Sequence, residues 1–250
     1  MIDLSKISTN EKALFLAYDQ GMEHGPSDFD DDSIDPNYVL SIAIEGEYNA
    51  VIFQKGVAEK YYDPVLHSRI PLIVKLNGKT NLVEGEPYSP LLATVEEAQK
   101  LGALGVGYTI YLGSEHEAKM FSDFETVERE AHAKHLPVMV WMYPRGKAIE
   151  GKSKEELAAY SARVALELGA DIVKLKYPGS VAAMKDVVAT AGKTKVVVSG
   201  GEKIEEEKFI VMAQEVMESG AAGMAVGRNV WQAKDPLGVT EKLKRIIFEK

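Results

Sequence analysis

The 250-residue sequence contains no cysteine, so disulfides, thiolate metal sites and a cysteine nucleophile are all excluded. Histidine is scarce, with five residues, and their spacing matches no three-ligand zinc or magnesium site. His132 and His135 share a helical stretch with Glu128 and Glu130 that reads as a solvated face, and His67 and His116 stand apart. No metal and no cofactor is expected. No apolar run approaches the roughly 18 residues of a membrane span. Near the start, Asp3, Lys6, Asn10 and Glu11 interrupt any secretory h-region. The net charge is −9, so the basic footprint that nucleic-acid phosphates require is missing. A Gly-x-Gly-x-x-Gly turn after the first strand is also missing, which counts against a dinucleotide site. What remains is a cytoplasmic protein with a small-molecule ligand and neither nucleic acid nor membrane as partner. A small anion is compatible with that charge, because it needs only local N–H groups and one or two cations.

What is present is a regular alternation. Short, nearly continuous apolar runs recur at Ala13–Tyr18, Ala50–Gln54, Leu72–Leu76, Val106–Tyr111, Pro137–Met142, Asp171–Tyr177, Lys195–Val198 and Gly223–Val226. Runs of this kind are strands covered on both faces. Between them lie helical stretches: from the Asp35-Pro36 cap to about Glu47, Leu92–Leu101, Ser114–Lys134 with Glu117 in capping-box position, a Ser153-capped helix ending at Gly169, Ser180–Ala191, Ile204–Ser219, and a last one from about Pro236. Strict βα alternation implies right-handed parallel crossovers. Eight units in one unbroken chain predict an α/β fold, a single-domain (β/α)8 TIM barrel over residues 1–250.

The barrel gathers eight separate strand ends at one mouth. They bring Asp19, Gln54 and Lys55, Lys75 and Asn77, Tyr108 and Tyr111, then Trp141, Tyr143 and Arg145. The sixth brings Lys174 or Lys176, embedded in Asp171-Ile172-Val173-Lys174-Leu175-Lys176-Tyr177. A lysine inside a buried strand loses hydration, its ammonium form is disfavoured, and the free amine is a nucleophile towards carbonyls. Side chains two apart face the same way, so alternation leaves the choice between the two open. His24, in the long polar loop after the first strand, is placed to reach the mouth. Ser199-Gly200-Gly201 and Gly227-Arg228 follow the last two strands, where glycines admit a ligand close to backbone N–H groups and Arg228 adds forked donors. Phosphate is the anion that suits such a cradle.

Five motifs in order, Asp19-Gln20-Gly21-x-Glu23-His24-Gly25, Trp141-x-Tyr143-Pro144-Arg145-Gly146, Ala170-Asp171-Ile172-Val173-Lys174, Ser199-Gly200-Gly201 and Val226-Gly227-Arg228-Asn229, make the chain resemble the archaeal-type class I fructose-1,6-bisphosphate aldolases, within the DhnA-like Schiff-base barrels. The resemblance covers nearly the whole chain. It implies that Lys174 forms the Schiff base, with Lys176 as a neighbouring cation that helps depress its pKa. It makes Asp19 the carboxylate beside it, Tyr143 the main general acid/base and Trp141 a pocket wall. Arg145 and the cradle of Ser199, Gly200, Gly201, Gly227 and Arg228 would hold the two phosphates of a sugar-phosphate substrate. It also implies a homo-oligomer, pentamer-based. Met142 departs from the smaller residue expected between Trp141 and Tyr143, and strand alternation points it away from both.

Three other activities fit parts of the pattern. A 2-amino-3,7-dideoxy-D-threo-hept-6-ulosonate synthase-type transaldolase would use the same lysine. A phosphosugar isomerase would form no covalent intermediate and would find both lysines dispensable. A non-catalytic binder would hold a phosphate ligand without turnover.

Overall fold

The computed structural model describes residues 2–249. Its core is a closed barrel of eight parallel strands in sequence order: β1 (Ala13–Ala17), β2 (Ala50–Gln54), β3 (Leu72–Lys75), β4 (Gly105–Ile110), β5 (Val138–Met142), β6 (Ile172–Leu175), β7 (Lys195–Ser199) and β8 (Gly223–Val226), with β8 pairing back onto β1. The helices are α1 (Gly21–His24), α2 (Pro36–Glu45), α3 (Lys55–Tyr61), α4 (Val95–Lys100), α5 (Glu117–Ala133), α6 (Lys154–Glu167), α7 (Val181–Ala191), α8 (Glu206–Glu218), α9 (Arg228–Trp231) and α10 (Pro236–Phe248). The eight strands and the barrel expected from the sequence are the ones observed.

Alternation along each strand divides the apolar residues into two layers. Phe15, Ile52, Ile73, Met139, Ile172 and Val197 fill the inside of the barrel, over Ile7 from the N-terminal segment. The intervening residues, such as Val51, Val74, Val140, Val173 and Val198, pack outwards against the helices. Met142 belongs to that outer layer and Trp141 to the inner one, as alternation predicts. Tyr108 also falls in the outer layer, 5.9 Å from the Phe124 ring, so it does not reach the mouth. One close approach requires glycine. A Cβ on Gly107 would lie 1.9 Å from the Trp141 ring, so only glycine lets that indole cross the barrel.

Several helix boundaries differ from the sequence expectation. The helix anticipated from Ser114 begins at Glu117. Ser114 Oγ is committed to Pro87 O (2.6 Å) and the Glu117 carboxylate to Gly113 N (2.7 Å), so neither forms the expected capping box. Leu92 is drawn to the end of β3 by its bond to Leu76 O, and α4 starts three residues later with a complete Thr94–Glu97 capping box. The α3 helix had no counterpart in the reading of the sequence. It starts directly at the end of β2, with Gly56 in its first turn.

His132 is tied down, contrary to the solvated face expected of it. Its ring bridges Glu128 (2.7 Å) and Asp171 (2.9 Å), and the Asp171 carboxylate also accepts Val138 N. This staple joins α5 to the N-terminal ends of β5 and β6, the face of a barrel that serves stability.

Candidate active site

At the C-terminal ends of the strands lies a cavity of about 410 Å³, lined among others by Asp19, Lys75, Trp141, Tyr143, Arg145 and Lys174. Strand ends supply much of this lining: Ala17 from β1, Lys75 from β3, Trp141 from β5, Lys174 from β6, Ser199 from β7 and Ala225 from β8. Gln54 at the end of β2 instead turns to Asn77 O (3.1 Å) and stays outside it. Trp141 and Lys174 are register partners on β5 and β6, and Gln54 and Lys75 on β2 and β3. Lys174 is 5% exposed, so its amine is largely withdrawn from water. Its Nζ stands 3.9 Å from Asp19 Oδ1 and 5.0 Å from the centre of the Trp141 ring. Burial drives its pKa down to about 8, with Asp19 opposing the shift and the Lys75 cation reinforcing it. About one molecule in ten then carries the free amine at pH 7, against about one in three thousand for an ordinary lysine.

Depth separates the two lysines. β6 ends at Leu175, and Lys176 lies beyond it as an exposed residue on the rim. The cation that acts on Lys174 is Lys75, not Lys176, which corrects the expectation drawn from the resemblance. Lys75 is 4% exposed, lies 3.2 Å from Asp19 Oδ2, and completes a Lys174–Asp19–Lys75 row in which each carboxylate oxygen faces one ammonium. Burial raises the Asp19 pKa, the two lysines outweigh it, and the net shift is downwards. The sequence carried a signal for Lys75: Ile73-Val74-Lys75-Leu76 and Ile172-Val173-Lys174-Leu175 are the same tetrapeptide at the ends of two inward-alternating strands.

Tyr143 follows β5 but stays in register, its N–H bonded to Ile110 O (3.0 Å) and its carbonyl accepting from Leu112 N (3.2 Å). Burial and then the negative charges of Asp19 and Glu23 push its phenol well above the usual range, with the Ser199 hydroxyl alongside. The phenol therefore holds its proton in the resting site. Arg145, two residues on, lies 5.0 Å above the Tyr111 ring and pairs with Glu23 (2.5 Å). Glu23 was missed as a site residue. Burial lifts its pKa, Arg145 and Lys75 more than offset this, and it is held ionised.

Across the mouth, Ser199, Gly200 and Gly201 face Gly227 and Arg228. The Gly200 N–H is bonded to Ala225 O (2.9 Å), so its contribution is close approach of the two strands. Asn229 fixes the loop, donating to Gly200 O (2.9 Å) and Glu202 O (2.8 Å) and accepting from Ile204 N (2.9 Å). Arg228 binds Asp28 (2.6 Å), and His24 Nδ1 lies 3.2 Å from the other oxygen of that carboxylate.

Other residues grouped at the mouth from the sequence are elsewhere. Lys55 turns out to Glu97 (2.5 Å). The Asn77 side chain is a buried strut that bonds Thr109 and Ser89.

A closed parallel barrel with a buried lysine of lowered pKa, flanked by a carboxylate, a phenol and two arginines, defines an enzyme of carbonyl chemistry on phosphorylated substrates. A family model described as DeoC/LacD family aldolase matches residues 13–233. The class 1 fructose-bisphosphate aldolase of Thermoproteus tenax is 49% identical over 95% of this chain and 90% of its own length. That of Halobacterium salinarum is 44% identical over 98% and 94%. The structure of an archaeal fructose-1,6-bisphosphate aldolase with its catalytic lysine bound to the carbinolamine intermediate superposes with a TM-score of 0.92, at 46% identity, covering 98% of this chain and 97% of that one. The chain belongs to the DeoC/LacD aldolase family.

Proposed function

We propose that the protein is a class I, Schiff-base fructose-1,6-bisphosphate aldolase, cleaving its substrate reversibly to dihydroxyacetone phosphate and glyceraldehyde 3-phosphate in glycolysis or gluconeogenesis. The observation that carries the residue assignment is the buried Lys174 amine with its pKa lowered to about 8. Lys174 Nζ adds to the C2 ketone, and the carbinolamine loses water to give an iminium. The C3–C4 electron pair flows towards that iminium as the bond breaks. The Tyr143 phenol gives its proton to the carbinolamine hydroxyl as that leaves as water, and the resulting phenolate takes the C4 hydroxyl proton as the aldehyde departs. The fixed positive charge of the iminium lowers the phenol's affinity for its proton just when a base is needed. Protonation of the enamine at C3 and addition of water to the imine carbon release the second triose phosphate and restore the amine.

Asp19, between the two lysines, binds substrate hydroxyls and assists proton transfer. Trp141 walls the pocket, and His24 contributes to the rim. Arg145 takes the far phosphate, and Ser199, Gly200, Gly201, Gly227 and Arg228 the near one. The mechanism asks for no metal or cofactor. A cytoplasmic, pentamer-based homo-oligomer belongs to the same proposal.

Borohydride trapping with dihydroxyacetone phosphate, followed by peptide mass mapping, tests the assignment. The expected result is a reduced adduct on Lys174 and loss of at least a thousandfold in kcat in Lys174→Met, roughly the scale of removing a nucleophile. An adduct elsewhere, or activity surviving in Lys174→Met, ends it.

A further inference from the structure

Both arginines that the phosphate assignment needs are already bound to carboxylates of one loop. Glu23 reaches Arg145 and Asp28 reaches Arg228, at 2.5 and 2.6 Å. Asp28 is the sharper case, because Glu23 is also embedded among Lys75 and Tyr111 at the floor of the mouth. Arg228 adjoins the glycine cradle, its other nitrogen 3.4 Å from Gly201 O. Its side chain is 19% exposed and that of Asp28 12%, so the pair is largely withdrawn from water. A substrate phosphate seeks the same forked donors and brings about two negative charges where the carboxylate brings one.

The backbone around Asp28 is anchored. Gln232 donates to Asp28 O (3.2 Å), and Phe29 stacks on Trp231 with ring centres 5.9 Å apart. The carboxylate can therefore leave Arg228 by rotation of its own side chain, without movement of the loop. It does not lose every partner when it leaves, since His24 Nδ1 stands 3.2 Å from Asp28 Oδ2.

We propose that Asp28 is a resident stand-in for the substrate's phosphate, occupying Arg228 in the empty site, yielding it to a dianion and reclaiming it as product leaves. The inference rests on the assignment of Arg228 to phosphate. Asp28 then sets a charge threshold. A singly charged carboxylate from solution offers Arg228 no more than Asp28 does, and competes against a group held beside it at high effective concentration. A phosphate outbids it by charge. Reclosure of the pair also opposes rebinding of the departing triose phosphate.

The test compares wild type, Asp28→Asn, Arg228→Gln and the double variant, with inorganic phosphate and glycolate as competitive inhibitors. The expected result for Asp28→Asn is a Ki for phosphate about tenfold lower and glycolate inhibition where the wild type shows none. In the Arg228→Gln background the same Asp28 change should have no effect, because its target is gone. Asp28→Ser, assayed alongside with a thermal melt, gives the same readout in a folded protein if asparagine disturbs the loop. A phosphate Ki that rises or stays unchanged on neutralising Asp28 overturns the inference and leaves Asp28 as a brace for Arg228. Borohydride trapping on the same proteins keeps the two claims apart. Wild type trapped at Lys174 with no gain in Asp28→Asn sinks only this inference, whereas no trapping at all sinks the aldolase assignment.

Discussion

The chemistry of the site turns on one residue pair sharing a carboxylate. Lys75 is placed so that its charge both lowers the pKa of Lys174 and competes with it for Asp19. Replacing Lys75 by methionine removes a like charge from Lys174 and leaves Asp19 to act on that lysine alone. Both changes favour the ammonium form, so the Lys174 pKa rises from about 8. The acid limb of the kcat/KM profile, where activity climbs as the amine is deprotonated, should move up by about one pH unit, with the largest loss below pH 8. A pH–rate profile that does not move would remove Lys75 from this role. The sequence placed Asp19, Tyr143, both arginines and the pair Lys174 and Lys176 at the mouth because each lies in or just after an apolar run, and alternation left the two lysines unseparated. It did not reveal which cations are already paired. Glu23 and Asp28 sit in a polar, acid-rich loop where nothing local separates a solvated carboxylate from one folded back onto an arginine across the barrel.

Elements were legible to the extent that their signals are local. Ser153, Ser180, Asp35 and Asp235 cap helices through their side chains, and the first three were expected to begin them. Ser114 has the same local appearance and is diverted by a carbonyl 27 positions away. The α3 helix is a different failure: it is only seven residues long, carries glycine in its first turn, and follows β2 without a break. Gly107 and Trp141 show how one element is shaped by its neighbour. With alanine at 107 the added methyl would meet the indole at 1.9 Å, so the ring must leave the pocket wall or the β4–β5 pair must yield. The expected cost is about 1–3 kcal/mol in denaturant unfolding, together with a fall in kcat. Unchanged stability and activity in Gly107→Ala would mean that Trp141 has room the structure does not show.

For the whole molecule, the division of labour runs along the barrel axis. The Lys174 mouth lies at one end; at the other, Ile7 underlies the inner layer and the His132 staple joins helix to sheet. Substitutions at the two ends should have separable effects, chemistry at one and stability at the other. Leu82 and Val83, beside the mouth in the loop after β3, are 89% and 76% exposed. Apolar surface of this kind is what a homo-oligomer would cover. Ultracentrifugation is expected to give a multiple of the 27.4 kDa chain mass. A monomer at assay concentration would end the oligomer proposal. The closure of β8 onto β1 also imposes an order in time. During translation β1 emerges early, with one of its two hydrogen-bonding edges intended for the last strand to be made. Until β8 arrives, the nascent chain is an open sheet whose two unpaired edges are available to other chains. The seam itself depends on Gly223, whose missing side chain admits Ala13 O to within 1.8 Å of where a Cβ would stand. Ring closure requires that glycine, so a crowded ribosome is where a defect at this seam would be felt first.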